Sequence, residues 1–200
     1  MAHLPLTLLY RQKYIQDQLD QSAETKKKMF EACAGDLLKA VDAMISAFNK
    51  KKKILLCGNG GSAADAQHLA TELVIRMNKA DRPALPAIAL TTDSSMLTAG
   101  GNDIGFENIF ARQIEALGVA GDVLIAISTS GNSENVNRAI HEAKKRGIIV
   151  IAFLGKGGGA SKEIADVSIV IPSNDTQRIQ EGHITLAHIL CGIIENEMFN

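Results

Sequence analysis

Residues 53–77 read KILLCGNGGSAADAQHLATELVIRM. Ile54, Leu55 and Leu56 form a short apolar run suited to a buried strand. Gly58, Asn59, Gly60 and Gly61 interrupt it, and Ser62 can cap a helix that good helix formers carry from Ala63 to Met77. A strand, a glycine loop and a helix in that order turn backbone N–H groups toward an anion. His68 and Glu72 follow at i and i+4, on one face of the helix. A phosphate cradle beside a His/Glu pair suits a phosphorylated substrate. The plainer alternatives are a bare glycine turn and a surface hydrogen bond between His68 and Glu72. This stretch alone leaves them open.

Downstream, strands and helices alternate. Apolar runs at 86–90 (PAIAL), 122–127 (DVLIAI), 148–154 (IIVIAFL) and 167–171 (VSIVI) join 53–57 as five expected strands. Their near-continuous apolarity fits a parallel sheet covered on both faces. Helices are expected at 62–77, about 106–117, 133–146, about 159–165 and about 176–198. The last is apolar almost all round and should be buried. Upstream, two helices are expected, about 6–21 and 25–49. The second carries Met29, Phe30, Cys33, Leu37, Leu38, Val41, Met44, Ile45 and Phe48 at helical spacing. Both precede the first strand, so they stand outside the alternation and are expected to pair antiparallel. The pattern predicts a three-layer α/β fold with a five-stranded parallel sheet and an N-terminal helical pair. Residues 1–50 hold that pair and 51–200 the sheet domain. A long apolar stripe outside the α/β core predicts an oligomer.

Two hundred residues suit one domain, and 46% hydrophobic content supports a sizeable core. With 21 basic and 22 acidic residues the net charge is −1, so neither nucleic acid nor an anionic membrane is an expected partner. Cys33, Cys57 and Cys191 are widely spaced within apolar patterns and read as reduced core residues of a cytoplasmic protein. The opening MAHLPLTLLYRQKY lacks a basic leader followed by a long apolar segment, so no signal peptide is expected. No stretch approaches the ~18 apolar residues of a membrane span.

Ligands of such sheets bind beyond the carboxyl ends of the strands. After the first expected strand comes Asn59-Gly60-Gly61-Ser62, and after the second Thr91-Thr92-Asp93-Ser94, then Gly101-Asn102-Asp103. After the fourth comes Gly155-Lys156-Gly157-Gly158-Gly159. The loop after the third, Ser128-Thr129-Ser130-Gly131-Asn132-Ser133, opens directly into a helix. Its hydroxyls can donate to phosphate oxygens, and the helix N-terminus adds free N–H groups. It lacks the Lys of a Walker A loop and the GxGxxG of a dinucleotide fold. A Ser-rich capping turn is the plainer alternative. The last helix carries Gln180, Glu181, His183 and His188, which are costly on an apolar helix unless paired. With His68 and Glu72, Gln180 and His188 could make a four-donor site for a divalent metal such as zinc. Two buried, hydrogen-bonded histidines are the alternative.

CGNGGSAADAQH, GGNDIGF, DVLIAISTSGNS and RIQEGHITLAHIL together resemble the SIS (sugar isomerase) domain, and more narrowly its phosphoheptose isomerase branch. The resemblance covers nearly the whole chain. It implies an aldose–ketose isomerase that interconverts sedoheptulose 7-phosphate and D-glycero-D-manno-heptose 7-phosphate, toward the heptose of lipopolysaccharide or related surface glycans. It implies a homotetramer with active sites at subunit interfaces. Ser128, Thr129, Ser130 and Ser133 match the phosphate loop, with Ser62 nearby. Asn59, Gly60 and Gly61 match a substrate-contacting loop, and Asn102 and Asp103 match sugar contacts. His68, Glu72, Gln180 and His188 match a zinc site. Glu72 is then the expected base and His188 the expected acid, with Gln180 also touching substrate. PALPAIAL resembles a non-catalytic SIS-domain regulator that binds the bacterial replication initiator protein. That regulator lacks the Glu and the late His, which this chain has as Glu72 and His188.

Overall fold

The computed structural model of the chain describes residues 7–200. The reading of the opening segment as no signal peptide, and the start of the first expected helix, fall partly outside the described residues.

The first element corrects an expectation. In place of an antiparallel pair, one helix, α1, runs unbroken from Leu8 to Asn49. Nothing between the two expected helices is a breaker: the joining residues are Gln21 to Thr25, with no glycine or proline. Thr25, whose hydroxyl could have capped a second helix, donates instead to Gln21 O (2.9 Å) within the same helix. The C-terminal part of α1 buries Met29, Cys33, Leu37, Val41 and Met44. The N-terminal part leaves Leu8, Leu9, Tyr10, Tyr14, Ile15 and Leu19 exposed.

The alternating region follows the expected order. It runs β1 (Ile54–Gly58), α2 (Gly61–Val74), β2 (Ala87–Ala89), α3 (Ser94–Asp103), α4 (Ile109–Leu117), β3 (Val123–Ser128), α5 (Glu134–Lys145), β4 (Ile149–Leu154), α6 (Gly159–Ile164), β5 (Val167–Val170) and α7 (Thr176–Met198). Two short 3-10 turns, Phe106–Asn108 and Lys156–Gly158, precede α4 and α6. α3 was not foreseen, because Gly100 and Gly101 argue against a helix. Asp93 starts it by accepting from Met96 N at 2.8 Å.

All five strands pair in parallel, in the order β2-β1-β3-β4-β5. Alternate side chains split the core into two layers. Ile54, Leu56, Val123, Ile125, Ile151 and Phe153 pack against α1, α2 and α7. Leu55, Cys57, Leu124, Ala126 and Val150 pack against α4 and α5. α7 is less enclosed than expected, since Ile189 is 45% exposed. The chain leaves β1 toward β2 on one side and reaches β3 on the other. The topological switch therefore lies at the carboxyl ends of β1 and β3, where such sheets bind ligands.

α2 ends at Val74, short of the expected Met77, because the next turn is held from outside the helix. Glu195 of α7 accepts from the N–H groups of Met77, Asn78 and Lys79, and Arg82 pairs with Glu195 at 2.7 Å. Burial pushes the Glu195 carboxyl up, but Arg82 and the three N–H donors outweigh it and hold the pKa at about 2, below its ordinary 4.5. A depressed carboxyl pKa contributes stability that is present above the unfolded value and lost as pH falls through the folded one. The urea midpoint of the wild type should therefore fall more steeply between pH 4.5 and about 2 than that of Glu195→Gln. Parallel pH profiles for the two proteins would contradict this.

Candidate active site

The loop after β3 is built from its hydroxyls. Ser128 is buried, and its Oγ lies 3.1 Å from Ser133 Oγ and accepts from Gly131 N at 3.1 Å. Ser133 occupies the N-cap of α5 but makes no side-chain cap bond there. Its hydroxyl turns into the loop, and the first N–H groups of α5 keep their free valence for an anion. Thr129 and Ser130 are half-buried, and Ser130 Oγ accepts from Asn132 N at 3.2 Å.

The first turn of α6, after the glycine-rich loop that follows β4, braces this turn. Ser161 N and Ser161 Oγ both donate to Gly131 O at 2.9 Å, and Ala160 N donates to Asn132 Oδ1 at 3.0 Å. Gly131 has φ +65, and a Cβ there would stand 1.8 Å from Gly158 O. No side chain fits at that position.

The loop after β1 joins the hydroxyl loop through two amides. Asn59 Nδ2 donates to Asn135 Oδ1 at 2.8 Å, and Asn135 Nδ2 returns a bond to Asn59 Oδ1 at 2.9 Å. Asn135 is a functional neighbour that the sequence reading missed. It is a buried polar residue on the same helix as Val136, Ala139 and Ile140, and that contrast was the available signal. Gly60 takes φ +56 at the N-cap of α2, and Ser62 is buried in the first turn.

Gly61 makes the link to α7. A Cβ on Gly61 would meet Gln180 Nε2 at 2.3 Å, so the Gln180 amide lies directly on this backbone. Gly61→Ala should leave the fold intact, because the atom displaced is the end of a flexible side chain, and push Gln180 aside. If Gln180 serves the site, turnover should fall ~10-fold or more, as for the loss of a supporting metal or substrate contact. Wild-type turnover in Gly61→Ala would remove Gln180 from the site.

Two helical turns beyond this contact, α2 and α7 converge. His68 Nε2 lies 3.2 Å from Glu72 Oε1 and 2.8 Å from His188 Nε2. The two imidazoles meet edge-on, 5.0 Å apart at 69°. One ligand atom from each of His68, Glu72 and His188 lies within 4.8 Å of the others. Two imidazole lone pairs cannot face each other at such a distance, so a proton or a cation belongs between them. Two imidazole nitrogens and a carboxylate, with the Gln180 amide on the same helix, fit a borderline divalent cation such as zinc.

The remaining expected residues separate. His183 is fully buried and its Nε2 donates to Leu154 O at 3.0 Å. Burial pushes its pKa down to about 4, although the Leu154 bond raises it. It is a neutral core histidine, so the buried-histidine alternative holds for His183 and not for His188. Glu181 pairs with Arg178 at 2.8 Å, and Arg178 reaches Gln18 O of α1 at 2.6 Å. Asn102 and Asp103 end α3 and bond each other at 2.6 Å. Among the described residues, no hydrogen bond joins them to the hydroxyl loop or to His68, Glu72 and His188.

Comparison with known proteins places the chain in a family. The SIS domain family model matches residues 18–155. The phosphoheptose isomerase of Nitratiruptor sp. is 55% identical over 183 residues, covering 92% of this chain and 97% of its own. That of Sulfurimonas denitrificans is 49% identical over 191 residues, covering 94% and 96%. The solved structure of a phosphoheptose isomerase from Francisella tularensis superposes with a TM-score of 0.90 at 39% identity, covering 93% of this chain and 98% of that one. With a parallel sheet whose switch point carries a hydroxyl loop, and relatives of this similarity over nearly the whole chain, the protein belongs to the SIS-domain family and, within it, to the phosphoheptose isomerases, which are aldose–ketose isomerases.

Proposed function

We propose that the protein interconverts sedoheptulose 7-phosphate and D-glycero-D-manno-heptose 7-phosphate, supplying heptose for lipopolysaccharide or related surface glycans. The observation that carries this is the convergence of His68, Glu72 and His188 from two helices, tied through Gln180 and Gly61 to the glycine loop. Glu72 and His188, which the resemblance gives the enzyme and not the regulator, disfavour the non-catalytic regulator that binds the replication initiator.

Ser128, Thr129, Ser130, Ser133 and the N-terminus of α5 hold the phosphate, with Ser62 nearby. That remote binding energy places the sugar end of the substrate at the α2–α7 junction. Asn59, Gly60 and Gly61, with Asn102 and Asp103, contact the sugar. Moving the carbonyl from C2 to C1 removes a proton from C1 and returns one to C2, through a cis-enediol(ate). Glu72 takes the first proton and His188 supplies the second. Oε1 of Glu72 faces His68 at 3.2 Å, which leaves Oε2 for the substrate. Zinc held by His68 and Gln180, with one or both of Glu72 and His188, would polarise the carbonyl as a Lewis acid.

Residues 1–50 serve oligomerisation in this reading. The exposed Leu8, Leu9, Tyr10, Tyr14, Ile15 and Leu19 of α1 form the kind of apolar stripe that a second copy covers. A homotetramer with interface active sites accounts for that stripe. A cytoplasmic setting is supported by Cys33, Cys57 and Cys191, all free and buried. No helix among the described residues is long and apolar enough to cross a membrane.

The test is turnover of sedoheptulose 7-phosphate with added zinc, then after chelation, then with zinc restored. Activity that falls and returns is the expected result. Activity indifferent to chelation removes zinc from the account. No activity from a folded, zinc-loaded protein removes this substrate.

A further inference from the structure

The buried pair of Arg82 and Glu195 lies outside the residues given a part in the chemistry above. Both side chains are 2% exposed. Replacing such a pair by apolar residues is often neutral or stabilising, so stability alone explains it poorly. Its bonds suggest another role. Arg82 Nη2 donates to the backbone carbonyl of Glu72 at 2.6 Å, and Nη1 to that of Leu73 at 2.9 Å. These are carbonyls of the last turn of α2, where the helix leaves them without partners. Arg82 Nε donates to Glu195 Oε1 at 2.7 Å, and Glu195 also gathers the N–H groups of Met77, Asn78 and Lys79. Glu195 follows His188 on α7 by two helical turns, so both side chains leave the same face of that helix.

We propose that Arg82 and Glu195 form a strut that sets the spacing of α2 and α7, and are positioning residues for Glu72 and His188. The inference rests on the reading of those two residues as the acid–base pair. The strut runs from the Glu72 backbone through the guanidinium to the helix that carries His188. Glu72 therefore cannot shift along or away from α7 without breaking a buried, charge-assisted bond. A misplacement of about 1 Å at reacting groups can cost ~10²-fold in rate, which gives such a strut its value.

The decisive variant is Arg82→Lys. Lysine keeps the charge for Glu195 but has no planar fork, so it cannot also hold the Glu72 and Leu73 carbonyls. In its crystal structure the His68 Nε2–His188 Nε2 separation, 2.8 Å in the wild type, should widen by about 1 Å. Zinc affinity of the metal-free protein, titrated with zinc alone, should weaken ~10-fold or more. The kcat should fall by a similar factor while KM for sedoheptulose 7-phosphate stays nearly constant. Glu195→Gln, which keeps the shape and loses the charge, provides the same readouts should Arg82→Lys not fold. Ile114→Ala, in the core on the other face of the sheet, controls for destabilisation alone and should keep wild-type kcat at permissive temperature. An unchanged His68–His188 separation together with unchanged zinc affinity overturns the strut. The separation is read with or without turnover, so failure of the sedoheptulose 7-phosphate reading would show separately, as an inactive wild type.

Discussion

Glu72→Gln should lower kcat by ~10²-fold or more, the usual cost of losing a general base, with little change in KM. The substitution keeps the size of the side chain and its place on α2. It removes the negative charge and the ability to accept a proton from carbon. Glu72 is also an expected zinc ligand, so the loss has two possible origins, and saturating zinc separates them. If the defect persists when zinc titration shows the variant fully loaded, it belongs to proton transfer. If saturating zinc restores turnover, Glu72 acts through the metal. Near-wild-type turnover without added zinc would remove it from both roles.

The second large effect is expected at the hydroxyl loop. Ser133 leaves the N-cap of α5 uncapped and faces Ser128 at 3.1 Å, a poor use of a serine unless an anion completes the site. A hydrogen bond to a charged group contributes about 1.5–3 kcal/mol, so Ser133→Ala should lower kcat/KM by ~10–100-fold, mostly through KM. Ser128→Ala should act similarly on binding but also cost some stability, since Gly131 N loses the shorter of its two acceptors, Ser128 Oγ at 3.1 Å, and keeps only Ser128 O at 3.3 Å. Steady-state kinetics with urea melts of both variants check this. Unchanged kcat/KM in Ser133→Ala would show that the loop is a turn and not a phosphate site.

Much of the fold was legible because its signals are local. Five apolar runs and the amphipathic stretches between them place every strand and all but one of the helices in the sheet domain. The errors arose where local signals were weak or misleading. A second helix was expected from Thr25, yet no breaker interrupts the chain before it, and α1 continues through. Gly100 and Gly101 argued against a helix that Asp93 nonetheless caps. In the site, residue types on loops and one helix face were readable: the hydroxyls of 128–133, the His68/Glu72 pair, and the costly polar groups of α7. Of the two α7 histidines, the sequence reading put His188, two turns from Gln180, with His68 and left His183 out of the four donors. His183 meets the carbonyl of Leu154, and His188 meets His68. Asn135 and the Arg82–Glu195 pair were missed. Each acts through a partner far along the chain, and no spacing in the sequence reveals that partner.

The central claim is that Glu72 removes the C1 hydrogen as a proton and His188 delivers a different, solvent-exchanged proton to C2. Conversion of sedoheptulose 7-phosphate in D2O, followed by NMR of the heptose 7-phosphate product, tests it directly. With one group removing the C1 proton and another supplying C2, the product should carry solvent deuterium at C2. Product formed at full rate with no deuterium at C2 would mean that hydrogen passes directly from C1 to C2, and would contradict the assignment of Glu72 and His188.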